Sequence, residues 1–268
     1  MWNIIKSIRY SLRREMTTYL FFLITIIIVG FCTYDIFSGI KVSEIMEITG
    51  SKSFVLIIQA TSIGALFLAM MIIPIVFAGD FTGKYIHYEI LSGHKRNSQI
   101  LSRTILSVIY VAIYFLVMII VPVTFFTVIN GWGYSLPLSV AIRQVVLLFL
   151  YSLRFSFIMA FICFALKNTL YSIVVFFVEI TLMLPIMLLS PNQEMAGPSW
   201  IGLLLSVYNL LSLGEPTNTY LGFAEGMDVT MYEFSYAPEL MPALFAVPVM
   251  VTVFCILAMY AINSKRDY

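Results

Sequence analysis

The sequence predicts an all-α membrane protein. It has six transmembrane helices, an interfacial helix at the N-terminal end, a short cytoplasmic helix between spans two and three, and an external segment before span six. Three observations predict this. First, 61% of the 268 residues are hydrophobic, only 11% are charged, and mean hydropathy is +0.98. Soluble domains carry about a quarter charged residues, so this chain lacks the polar surface to face water on every side. Second, the apolar residues fall in runs of about 20 or more, the length a helix needs to cross hydrocarbon. None alternates with a period of two, as a barrel strand would. Third, lysine and arginine crowd onto alternate connections between the runs.

Residues 1–268 read as one transmembrane domain. The stretch 1–16 is not a cleavable signal, because its polar region is long and no small-residue site follows the next apolar run. Met1, Ile4, Ile5, Ile8 and Leu12 share one arc of a helix, with Lys6, Arg9, Arg13 and Arg14 opposite. A basic amphipathic helix of this kind lies at the headgroup level. The alternative is a plain basic flank that only sets topology. The spans follow at 17–37, 53–78, 104–129, 139–166, 169–190 and 243–262.

One set of connections holds eleven Lys and Arg residues: Lys6, Arg9, Arg13, Arg14, Lys84, Lys95, Arg96, Arg103, Lys167, Lys265 and Arg266. The other set holds only Lys41 and Lys52. The richer side is expected to be cytoplasmic, which places both termini inside and the protein in the plasma membrane. Residues 191–242 are then external, with six acidic residues and no Lys or Arg. Within them Trp200–Leu213 is apolar but only about 14 residues long, which suits an interfacial or re-entrant segment better than a seventh span.

Enzymatic machinery is not legible. His87 and His94 are the only histidines, and there is no HExxH or GxSxG motif. Cys32, Cys163 and Cys255 each sit inside an apolar run, so they read as buried side chains and not as metal ligands or disulfides. A net charge of +1 gives no basic patch for nucleic acid. Gly79–Lys84 imitates a phosphate loop, but it has three residues between its glycines instead of four, and Tyr85 follows the lysine. No cofactor, metal or ATP is expected on this chain.

The connection 79–103 is the most informative. Asp80 is placed to cap a short helix with its body at Lys84–Leu91, and Gly93 to end it. Tyr85, Ile86, Tyr88, Ile90 and Leu91 are more apolar than a merely solvated loop needs, which favours a docking surface. Asp80, Gly83, the run Ile90-Leu91-Ser92-Gly93, Arg96, Ile100 and Arg103 follow a pattern. In it the chain resembles the membrane subunits of type-2 ABC exporters. The resemblance implies that residues 1–16 are the elbow helix, 79–103 the coupling loop and 191–242 the segment with the re-entrant element. It implies ATPase coupling through Asp80, Gly83, Lys84, Tyr85, Ile86, His87, Tyr88, Glu89, Ile90, Leu91 and Arg96. It also implies two separate ABC ATPase subunits carrying ATP and Mg, and a second permease copy as homodimer or related heterodimer. The cargo of such permeases is amphipathic: a peptide (antimicrobial peptides among them), a lipid or a drug. A secondary transporter and a receptor without transport are the rival readings.

Arg154 and Glu179 lie deep in spans four and five, where ionisable residues are costly. Each is about 12 residues from the turn near Lys167, so both reach one depth. A structural ion pair is the favoured reading, and a substrate-binding charge the alternative.

Overall fold

The computed structural model describes residues 48–82, 96–166, 213–224, 226–236 and 238–265, together with Lys6, Tyr19, Leu23, Ile27, Val174, Val178 and Leu211. The molecule is mostly helical, at 78%. Among the described residues four helices are long and apolar enough to cross a membrane. They are α1 (Gly50–Thr82), the continuous run formed by α2 (Arg96–Phe115), a π-helical turn (Leu116–Ile120) and α3 (Val121–Asn130), α4 (Leu138–Leu166), and α5 (Met241–Lys265). Spans two, three, four and six of the sequence reading fall on these helices. Spans one and five fall outside the described residues, apart from five exposed helical positions: Tyr19, Leu23, Ile27, Val174 and Val178. Residues 1–16 lie outside them as well, except for the exposed, helical Lys6.

In lipid, helices gain little by hiding apolar surface from one another, so close packing has to hold them together. Small residues make that possible. Ala60, Gly64, Ala65 and Ala69 are buried on α1, and Ala141, Ser152, Ser156 and Ala160 on α4. α4 is the hub, packed extensively against α1 on one side and α5 on the other. In α1, 78% of the apolar window is buried within the protein, against 17% in α5, whose Val253, Phe254 and Leu257 face outward. α1 is therefore an interior helix and α5 a peripheral one.

The π turn has a local cause. Pro122 cannot donate to the Met118 carbonyl, and its ring would clash with that carbonyl in a regular helix. The chain widens instead, and the Val121 N–H reaches back to the carbonyl of Leu116. The Thr124 hydroxyl donates to the carbonyls of Ile120 (2.7 Å) and Val121 (2.9 Å) just beyond.

Three sequence expectations are corrected. α1 continues through Asp80 to Thr82, so Asp80 sits inside its last turn and does not open a new helix. Apolar residues up to Ala78 leave the helix no reason to stop earlier. Arg103 belongs to no loop: α2 begins at Arg96, and Arg103 is buried in it. The fold is also not purely α-helical. Between α4 and α5 the chain forms an antiparallel hairpin, β1 (Asn218–Ala224) and β2 (Met227–Glu233), in register from Asn218↔Glu233 to Ala224↔Met227. Its two-residue loop ends on Gly226, whose φ of 79° suits glycine.

Candidate functional site

The starts of α1 and α4, the α3–α4 loop and the hairpin meet in one polar cluster at one end of the bundle. The first N–H groups of a helix have no partner inside it. In α1 the loop supplies them: Gly50 N donates to the Gly131 carbonyl (3.0 Å) and Ser51 N to that of Trp132 (2.8 Å). Asn130 Nδ2 donates to the Ile48 carbonyl (2.8 Å), and Trp132 Nε1 to that of Leu136 (2.6 Å). Two glycines permit the approach. A Cβ on Gly50 would collide with the Thr127 hydroxyl, and one on Gly133, which has φ 82°, would lie 2.5 Å from that of Thr49.

A second knot joins α4 to the stretch 213–236 around the hairpin. Gln144 is fully buried, and its Nε2 donates to the Leu213 carbonyl. The Tyr236 hydroxyl lies 2.7 Å from Gln144 Nε2 and 2.9 Å from Oε1, so it both accepts from and donates to that amide. One residue earlier, Arg143 Nη2 donates to the Phe234 carbonyl (2.6 Å), and its guanidinium lies 5.9 Å from the Tyr236 ring centre. The hairpin is tied on by Tyr232 N, which donates to the Ser135 carbonyl (2.9 Å), and closed by Thr217, whose N and hydroxyl both donate to the Glu233 carbonyl. Burial raises the pKa of the Tyr236 phenol, against smaller opposing effects of the Gln144 hydrogen bond and Arg143, and burial raises that of Tyr232 too.

The chain at 213–215 reaches well down the bundle. Gln59 Nε2 donates to Glu215 Oε1 (3.2 Å), and Gly214 packs on Ser62 and the Gln59 backbone. Gln59 is nine residues into α1, about 13.5 Å along its axis. Beside an opening of about 480 Å³ lined by Thr49, Asn130, Gly133, Tyr134, Ser135 and Val229, two more flank this region. One, of about 410 Å³, lies between the hairpin and α4 and is lined by Arg143, Tyr220, Tyr232, Glu233 and Tyr236 among others. The other, of about 440 Å³, is apolar and lies between α1, the π turn, α3 and α4, with Phe54, Ile119, Trp132 and Val145 in its walls.

Arg154 is buried near the middle of α4, with its guanidinium 5.6 Å from the Tyr151 ring centre. Cys255 of α5 lies close enough to feel its charge. Glu179 lies outside the described residues, so the expected pair is neither formed nor broken by what is described. Toward the opposite end of the bundle, Gln99 and Arg103 on α2 and Asn263 on α5 are buried polar groups, and the two helices pack together there. Of the coupling residues, Asp80 lies within α1, two residues before Thr82, and Arg96 opens α2, while Gly83, Lys84, Tyr85, Ile86, His87, Tyr88, Glu89, Ile90 and Leu91 lie outside the described residues. No group of three or more His, Cys, Asp or Glu side chains fit to hold a metal occurs among the described residues.

Sequence reasoning missed this polar cluster. The hairpin did leave a signal in two runs rich in aromatic and β-branched residues around Glu225-Gly226. The Gln144 knot left none, since one glutamine in an apolar run does not reveal its partner. No family model matches the chain, and comparison with curated proteins finds no match either.

Proposed function

We propose that this chain is the transmembrane permease subunit of an ATP-driven exporter of the type-2 ABC class. Six helices cross the plasma membrane with both termini cytoplasmic, and residues 191–242 form an external, partly re-entrant cap. Two permease chains stand over two ATPase subunits that bind ATP and Mg, and ATP-driven closure of those subunits moves residues 80–91 and switches the cavity outward. The substrate is amphipathic: a peptide, lipid or drug.

The observation that carries this reading is the direction of the helices. α4 and α5 both start at the same end of the bundle, because Arg143 and Gln144 near the start of α4 hold Phe234 and Tyr236 just before α5. The chain must therefore return from Leu166 at one end to Leu213 at the other. Residues 169–190 are apolar and long enough to be that return. The same end also carries the start of α1 and the end of α3. That is the alternation six spans require, with the basic connections gathered at the opposite end. The contact of Gly214 with Ser62 supports the re-entrant reading of the external segment.

Function is tested first on the adjacent reading frame, which should encode an ABC ATPase with a P-loop, and then by co-expressing the two chains and reconstituting both in proteoliposomes. The permease should stimulate ATP hydrolysis, and Tyr85, Ile86 and Tyr88→Asp together should abolish the stimulation while leaving the purified membrane subunit folded. Full stimulation by the triple variant would overturn the coupling assignment. Transport driven by an ion gradient without any ATPase would establish the secondary-transporter reading instead. In intact cells, a cysteine in place of Glu215 should react with an impermeant thiol reagent, and reaction only after lysis would invert the topology.

A further inference from the structure

We infer that the cavity between the hairpin and α4 binds the headgroup of a zwitterionic phospholipid from the outer leaflet, its phosphate on Arg143 and its amine against Glu233 and the neighbouring tyrosines. The inference rests on the orientation proposed above and not on ATPase coupling. A volume of about 410 Å³ suits a small ligand group, for which sites run from about 300 to 1,000 Å³.

The chemistry of the walls selects the ligand. Arg143 lines the cavity and spends only Nη2 on the Phe234 carbonyl, which leaves its guanidinium a full positive charge and further N–H groups. An anionic oxygen is the strongest complement of such a group. The hairpin side offers Glu233 and the rings of Tyr220 and Tyr232, groups that attract an ammonium through charge and ring faces. A simple anion would meet Glu233, and a simple cation would meet Arg143. A zwitterion satisfies both.

Depth selects a lipid. Arg143 is five residues from the start of α4, about 7.5 Å along it, Tyr220 and Tyr232 line the same cavity, and Trp132 is bonded to the loop just before α4, as aromatic residues gather at the headgroups. Val140 gives the cavity an apolar wall. On the hairpin tip Leu221, Phe223 and Met227 are 69%, 81% and 70% exposed, which fits a hairpin resting on the bilayer surface.

The full chain is purified in detergent and titrated with short-chain phosphatidylethanolamine, phosphatidylglycerol and diacylglycerol of equal chain length, with binding read by native mass spectrometry. Phosphatidylethanolamine should bind about tenfold or more tightly than the other two, the factor that about 1.4 kcal/mol of charge-assisted hydrogen bonding gives. Glu233→Gln, at an exposed side chain, should bring phosphatidylethanolamine down to the level of phosphatidylglycerol. Arg143→Gln should bring it down to diacylglycerol. Because Arg143 also anchors Phe234, the Glu233 variant decides. Equal binding of the three lipids by the unmodified chain, or an undiminished preference in Glu233→Gln, would overturn the site. Competition by soluble glycerophosphoethanolamine at equal affinity would overturn the lipid as its ligand.

Discussion

The knot at Gln144 makes a quantitative prediction. Gln144→Leu keeps most of the side-chain volume but removes the amide that holds the Leu213 carbonyl and the Tyr236 hydroxyl. A buried carbonyl without its donor costs about 1–3 kcal/mol, and the hydrogen bonding to the phenol is worth about 1 kcal/mol, so the total loss is about 2–4 kcal/mol. Tyr236→Phe alone should cost about 1 kcal/mol. The two losses should not add. In the double variant the hydroxyl that lost its partner is itself gone, leaving a coupling of about 1 kcal/mol. For a chain of this size that coupling is about 2–4 °C in Tm. Thermal unfolding in detergent micelles, followed by tryptophan fluorescence, measures all three variants. Strictly additive losses in the double variant would refute the knot, as would a Gln144→Leu protein as stable as the parent.

Gly133→Ala and Gly226→Ala should separate backbone strain from crowding. Both glycines have positive φ, worth about 1–2 kcal/mol against alanine, but only Gly133 has a neighbour, Thr49, within collision distance. Its variant should be the less stable by denaturation midpoint, and equal losses would count against the packing of the α3–α4 loop on Thr49. The raised pKa values of Tyr236 and Tyr232 mean that the folded protein holds these protons more tightly than the unfolded chain. That stability is fully present below about pH 10, the unfolded phenol value, and is lost as pH climbs above it. Tyr236→Phe should flatten the alkaline fall in Tm, and an unchanged profile would remove Tyr236 as its source. For Arg154, the proposed pairing with Glu179 predicts that Arg154→Met and Glu179→Gln each cost about 3–5 kcal/mol by leaving one buried charge, and that Arg154→Met with Glu179→Leu recovers much of the loss. A stable double variant that no longer transports would move the pair from structure to mechanism.

Of the helical frame, much was legible before any coordinates. Runs of about 20 apolar residues between charged connections leave few alternatives in lipid, because every backbone group in the core must be bonded within the helix itself. That is why α4 was predicted at 139–166 and is found at Leu138–Leu166. Boundaries failed where polar residues lie inside a helix: Arg103 looked like loop by its charge, and Asp80 looked like a cap by its chemistry. Residue type states a preference that a continuing hydrogen-bond ladder overrides.

The polar cluster around Gln144 and the α3–α4 loop was illegible for a different reason. Its contacts join residues 69 and 82 positions apart for Gln144 with Leu213 and Ile48 with Asn130, and 91 apart for Arg143 with Phe234. Local pattern carries no information about such pairs. By itself the sequence determined that this chain is built of apolar helices of membrane-crossing length, since hydrophobicity and period act within a single segment. Only the tertiary structure decided which helix is interior, where the chain widens to admit Pro122, and which polar side chains bind one end of the bundle together. Those outcomes depend on which surfaces meet, and meeting is a property of the packed chain.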